Sequence, residues 1–465
     1  MGQLTAASAS AGHPAGSRAN RREQRGWYVY DWANSAYATT VIAVFLGPYL
    51  TGVARNAACG TVVTGDNPCP VVDPRLSVLG LSIVPGSYYS FLLAASIAVQ
   101  VLVLPLIGAV ADRSARKKEI LAALAYLGAF ATMGMYFLQG QRYLLGGALY
   151  VVAQAAFGAS VVVYNAFLTE IATADERDRV SSRGWALGYL GGGLLLAVDL
   201  AVYAARDRLG LSEGQVVRIA LAGAGLWWGL FTLVPLALLR NRAGPVGAPA
   251  GVRAAVGQLW QTAREARRHR MTLLFLLAYL CFNDGVQSVI GLASLYGAEE
   301  LGLAQDTLIV AILIVQFVAF GGALALGALA GRFGAKSVVL ASLVLWVLVL
   351  AAAYVLPAGG AAQFHGLAAA IGVVLGGTQA LSRSLFSQLI PRGKEAEYFA
   401  LFVISERGTS WIGALTFGVV FQLTGSYRDA IASLVAFFLA GFVLLLRVDV
   451  RRAIAEAGNA QPHRV

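Results

Sequence analysis

The chain has 465 residues, of which 58% are hydrophobic and 13% charged, with a formal net charge of +11. A soluble domain carries about 45–50% apolar and about 25% charged residues, so this composition excludes an ordinary soluble protein. The apolar residues come in runs near the ~20 that cross a bilayer as helix, and the fold class expected is an all-α polytopic membrane protein.

Residues 1–26 are small, polar and basic. They lack the apolar centre of a signal peptide, and Ala6 stands where a myristoylation site needs Ser or Thr; a disordered cytoplasmic tail is expected. Twelve apolar runs follow. Six fill an N-terminal half over 27–239, at 27–53, 86–111, 119–138, 143–170, 183–205 and 217–239. Six more fill a C-terminal half over 272–447, at 272–296, 307–330, 336–356, 365–390, 398–422 and 428–447.

Cys59 and Cys69 fall in the first loop, where they form either a disulfide or two unpaired thiols. Between the halves, 240–271 is a basic cytoplasmic linker. Val252, Val256, Leu259, Trp260 and Ala263 share a face there, followed by Arg264, Arg267, Arg268 and Arg270. This reads as an amphipathic helix on an anionic membrane surface, or as a solvated linker with a helical end. Residues 448–465 form a second cytoplasmic tail.

With the N-terminus inside, Lys and Arg in the cytoplasmic loops outnumber those outside by roughly four to one, which places both termini in the cytoplasm. The net charge is thus an orientation signal and calls for a lipid bilayer, not nucleic acid, as partner. Motifs of soluble chemistry are missing: no HExxH, no GxSxG and no GxxxxGK[ST] loop. No catalytic residue, metal ligand or cofactor is expected, and a membrane enzyme or a receptor on a transport fold is a distant alternative.

Two loops carry the most information. GAVADRSARKK (Gly108–Lys118) and GALAGRFGAK (Gly327–Lys336) each close a long apolar run, at matching places in the two halves. A repeat on that scale marks a transporter whose halves rock against each other. The first loop, with Gly108, Asp112, Arg113, Arg116, Lys117 and Lys118, resembles the hallmark loop of the major facilitator superfamily. The second keeps Gly327, Arg332, Gly334 and Lys336 but has Gly331 where the acid would stand.

WYVYDWANSAYATTV (Trp27–Val41), FNDGVQSV (Phe282–Val289) and GGTQALSRSLFSQLIP (Gly376–Pro391) resemble the vacuole-effluxer branch of that superfamily, which includes autophagy-related amino-acid exporters and bacterial relatives. The resemblance implies a monomeric twelve-helix major facilitator fold and transport of a small-molecule solute, more loosely an amino acid. The excess of arginine over lysine hints at a GC-rich bacterial genome and so at the bacterial inner membrane.

Charged side chains inside spans cost about 2.5–3.5 kcal/mol each on insertion scales, so each needs a partner or a wet cavity. They are Asp31, Glu170, Asp199, Asp284, Arg383, Glu406 and Arg407. The resemblance implies that the first, fourth, seventh and tenth spans line the central cavity; Asp31, Glu170, Asp284 and Arg383 lie on these. Asp284 and Arg383 are expected to hold opposite ends of a zwitterionic solute, with Asn283, Gln287, Gln379 and Asn34 as polar contacts. A salt bridge from Arg383 to Asp284, Glu170 or Asp31 that only ties spans together is the competing reading.

Asp31 and Glu170 are candidates for proton coupling or gating. Asp112, with Arg113 and Arg116, is expected from the resemblance to hold the cytoplasmic gate shut at the positive start of a neighbouring helix. Trp27, Tyr28, Tyr30 and Trp32 read as an interfacial aromatic belt, and the Gly-rich patches as sites of close helix packing. The function expected is secondary active transport of a small polar solute, amino acids first, coupled to protons. Export of amphipathic compounds, or transport of a sugar or organic acid, is the alternative.

Overall fold

The computed structural model describes residues 18–63, 67–78, 80–242, 269–407 and 411–464. Helix α1 (Arg18–Ala36) passes without a break through a nine-residue π-helical segment (Tyr37–Phe45) into α2 (Leu46–Cys59). The disordered tail expected over 1–26 is therefore helical from Arg18. Its polar residues have partners within the fold: the Gln24 amide donates to the Ile171 carbonyl at 2.9 Å, and Glu23 accepts from Arg242 at 2.9 Å.

The chain leaves α2 at Gly60, whose φ of 70° is the left-handed cap that glycine adopts at least cost. Cys59 and Cys69 are joined as a disulfide. A short antiparallel hairpin, β1 (Leu76–Val78) with β2 (Leu81–Ile83), covers this end. The rest of the half is α3 (Tyr88–Arg113), α4 (Lys117–Gly134), α5 (Tyr143–Ala166), α6 (Leu168–Ile171), α7 (Arg177–Ala204) and α8 (Glu213–Leu238).

The second half contains α9 (Arg270–Glu299), α10 (Gln305–Phe333), α11 (Ala335–Tyr354), α12 (Ala361–Gln388), α13 (Glu395–Arg407), α14 (Trp411–Thr424), α15 (Tyr427–Ser433), α16 (Val435–Arg447) and α17 (Val450–Glu456). The amphipathic helix expected within 240–271 lies outside the described residues. The tail expected over 448–465 includes α17, which buries Val450, Ala453 and Ile454.

Among the described residues, eleven helices are long and apolar enough to cross a membrane. The eleventh run, expected over 398–422, corresponds to α13 and α14, on either side of residues 408–410; the described apolar helix Ile412–Thr424 is shorter than the eleven. Large apolar side chains such as Leu102, Phe130, Leu230 and Leu348 are more than half exposed, as a lipid-facing surface requires.

Each half has its own apolar core, and α13 belongs to both. Its Ala396, Ala400 and Val403 pack with the N-terminal core, while Tyr398, Phe399 and Phe402 pack with the C-terminal one. The repeated loops explain how the halves approach. A side chain at Gly108 would come within 2.7 Å of the Ala396 carbonyl, and one at Gly327 would strike Ser182. Glycine at these equivalent positions brings α3 against α13 and α10 against α7. Gly191 and Gly192 likewise seat α7 on α1, with Trp32 and Thr39 filling the space a side chain would need.

Candidate functional site

The functional side chains gather where the halves meet, on the face that carries the basic loops. Asp112, at the end of α3, accepts hydrogen bonds from the Ala396 and Glu397 amides, both at 2.9 Å. These are unpaired donors in the first turn of α13, where the helix dipole also favours an anion. The expected contact is therefore made, and it crosses from one half to the other.

Arg113 and Arg116 do not share it. Arg116 is exposed, and one Arg113 nitrogen is buried without a partner among the described residues. Lys117 takes their place, 3.7 Å from Asp112 and 2.7 Å from Glu170. Glu170 also meets Arg242 at 3.1 Å, and Arg242 meets Glu23 at 2.9 Å. Glu170 thus sits in a network of charges at the end of the bundle.

Arg383 of α12 reaches side chains of the N-terminal half. It lies 3.1 Å from Asp31 of α1, and both are buried. Its Nε donates to the Ser181 hydroxyl and its Nη2 to the Ser181 carbonyl, each at 2.9 Å; Nη1 reaches the Asn165 amide oxygen at 3.5 Å. Three rings surround the guanidinium: Trp27, Trp185 and Tyr164, with centroids 4.6, 5.3 and 5.7 Å away. Trp27 is itself fixed by a 2.9 Å hydrogen bond from its indole nitrogen to the Tyr164 carbonyl and by stacking on that ring at 4.4 Å.

This corrects two expectations. Trp27, Tyr28 and Tyr30 are not an interfacial belt; all three are buried, because α1 lies inside the bundle and its aromatic face turns towards α5. Nor does Arg383 face Asp284. Its acidic partner is Asp31, the first of its bonds in a set that lies wholly in the other half.

Asp284 of α9 forms a separate centre within the C-terminal half. One carboxylate oxygen accepts from the Gly413 amide at 2.8 Å, and the other is buried without a partner among the described residues. A side chain at Gly413 would strike Ser288, so glycine is what lets α14 come this close. Beside it, Gln379 donates to Asn283 at 2.7 Å, Asn283 donates to the Glu406 carbonyl at 3.0 Å, and the Tyr279 hydroxyl donates to Gln379 at 3.2 Å. Gln287 is half-buried and Asn34 buried.

The sequence reading did not single out the other partners in these networks. Ser181, Asn165, Tyr164 and Trp185 are uncharged, and nothing in their spacing distinguishes them from ordinary helix surface. Thr40, in the π-helical segment, donates to Asp199 at 2.8 Å; Thr39 beside it accepts from Gln316 of the other half at 3.0 Å.

A family model described as vacuole effluxer Atg22 like matches residues 19–458. The chain belongs to this family. Among its relatives, an MFS-type transporter of Bacillus subtilis, YxiO, is 29% identical over 427 residues, covering 91% of this chain and 94% of that protein. Autophagy-related protein 22-1 of Penicillium rubens is 25% identical over 548 residues, covering 94% and 91%. The transporter FucP, crystallised in the outward conformation, superposes with a TM-score of 0.65 at 12% identity, covering 92% of this chain and 99% of that one. The fold is that of the major facilitator superfamily, and this Atg22-like chain is a membrane transporter rather than an enzyme.

Proposed function

We propose that the chain carries a small polar solute with an amino group, amino acids first, by alternating access coupled to protons. The observation that carries the reading is the Arg383–Asp31 pair: a buried charge from each half, meeting where rocking must separate them. Breaking such a pair by removing one partner costs about 3–5 kcal/mol. A transport cycle that parts the halves must therefore replace Arg383 by something, and solute or protons are available.

On this reading the conformation described is closed on the basic-loop face, with Asp112 capping α13 and Arg177 donating to the Ser387 carbonyl at 2.8 Å. The excess of Lys and Arg on that face supports a cytoplasmic location for it and for both termini. Asp284 supplies the second element. A buried carboxylate that, among the described residues, has one unpartnered oxygen and a single backbone donor is suited to carry the coupling proton, with Asn283, Gln287 and Gln379 offering polar contacts to the solute beside it. The family model's description as a vacuole effluxer supports export, and the Bacillus subtilis relative supports a bacterial cell-membrane counterpart.

The test is uptake into proteoliposomes with and without an imposed pH gradient. Labelled amino acids are compared with matched carboxylic acids lacking the amine and matched amines lacking the carboxylate. Gradient-driven uptake of amine-bearing solutes, uncoupled from the gradient in Asp284→Asn, is expected. Uptake confined to sugars, amine-free acids or amphipathic compounds would overturn the substrate class, and gradient-dependent uptake by Asp284→Asn would overturn its coupling role.

A further inference from the structure

Among the described residues, the groups recorded around the Arg383 head belong to the N-terminal half: Asp31, Ser181 and Asn165 by hydrogen bonds, Trp27, Tyr164 and Trp185 by their faces. Arg383 alone comes from the other half. When the halves part on the basic-loop face, the guanidinium leaves with α12. What stays behind is a buried carboxylate walled by three aromatic rings.

We propose that this pocket is an organic-ammonium site, and that Arg383 is its tethered occupant in the closed state. The chemistry favours an organic cation over the two simpler replacements. Water or a proton would satisfy Asp31 but leaves three ring faces with nothing to bind, whereas a ring face attracts an ammonium by about 0.5–2 kcal/mol. The rings are also held in place without Arg383, Trp27 by its bond to the Tyr164 carbonyl and by stacking. Gly184 lets the pocket close this tightly, since a side chain there would meet Asp31, Trp27 and the Arg383 terminus together. The inference deepens the proposed function by naming where the solute's amino group sits. Arg383 then competes with substrate, so that closing the gate expels the ammonium and releasing the gate admits it.

The experiment measures binding rather than transport, so that it can fail independently of the transport reading. Tetramethylammonium is titrated into the purified full-length protein, following quenching of tryptophan fluorescence, with potassium as control. Arg383→Ala, which removes the occupant, and Asp112→Asn, which loosens the gate, are each expected to bind tetramethylammonium at least about tenfold more tightly than the parent, a shift of about 1.4 kcal/mol. Adding Trp27→Ala should abolish the gain. If Arg383→Ala does not fold, Asp112→Asn decides alone. Binding no tighter than the parent, potassium acting equally well, or a gain that survives Trp27→Ala would each overturn the ammonium site. Failure of amino-acid uptake beside successful ammonium binding would overturn only the transported class.

Discussion

At the residue scale, Arg383 and Asp31 behave as a pair whose members are costly apart. Arg383→Met alone leaves Asp31 buried without a cation, and a loss of about 3–5 kcal/mol of stability is expected. The double variant Asp31→Asn/Arg383→Met removes both charges and should recover a large part of it. Thermal unfolding in detergent, arranged as a double-mutant cycle, reads the coupling directly; additive losses would show that the two charges do not depend on each other.

The sequence singles out Asp31, Glu170, Asp284 and Arg383, because a charge in an apolar run is conspicuous, but not Glu23 and Arg242, which lie outside the expected spans. Partners were not assignable: Arg383 had three candidate acids, Asp284, Glu170 and Asp31, on other spans, and choosing among them needs the rotation of each helix. Trp27 and Tyr30 were legible as aromatic but misplaced, since an aromatic cluster at the start of a span looks the same whether it meets lipid headgroups or another helix.

At the scale of elements, the repeated loops do two jobs that separate on inspection. Their glycines set helix approach in both halves, but only the first loop has an acid to cap a facing helix; Gly331, at the matching position of the second, has nothing within 4 Å. Gly108→Val and Gly327→Val should therefore both impair folding or transport, because each side chain meets the opposite half, while Gly331→Ala should be neutral in the same uptake and thermal assays. Equal effects at all three positions would mean that the close approaches do not matter.

Asp112→Ala removes the cap of α13, and losing a capping group costs about 1 kcal/mol of helix stability. Faster labelling of Ser384→Cys by a thiol reagent, in a Cys281→Ala background, is the expected sign that the basic-loop face has opened. Unchanged labelling would make Asp112 an ordinary charged turn.

At the scale of the whole molecule, hydropathy and loop charge sufficed for a helical membrane protein in two related halves, because lipid solvation acts on whole segments. Which faces of those segments meet is decided by shape, through small residues such as Gly108, Gly191 and Gly376, and hydropathy does not report shape. The site lies between the halves, so it inherits that difficulty. Its chemistry was readable while its geometry was not.

Alternating access requires the halves to separate on the basic-loop face during transport. Asp178 and Ser384 belong to opposite halves and are joined there by a hydrogen bond from the Ser384 hydroxyl to the Asp178 carboxylate. The decisive measurement is uptake of labelled amino acids by Asp178→Cys/Ser384→Cys in a Cys281→Ala background, before and after oxidative cross-linking. Uptake that is abolished by the cross-link and restored by a reductant, with the Cys281→Ala parent indifferent to both treatments, is the predicted result. Undiminished uptake by fully cross-linked protein would contradict alternating access at this face.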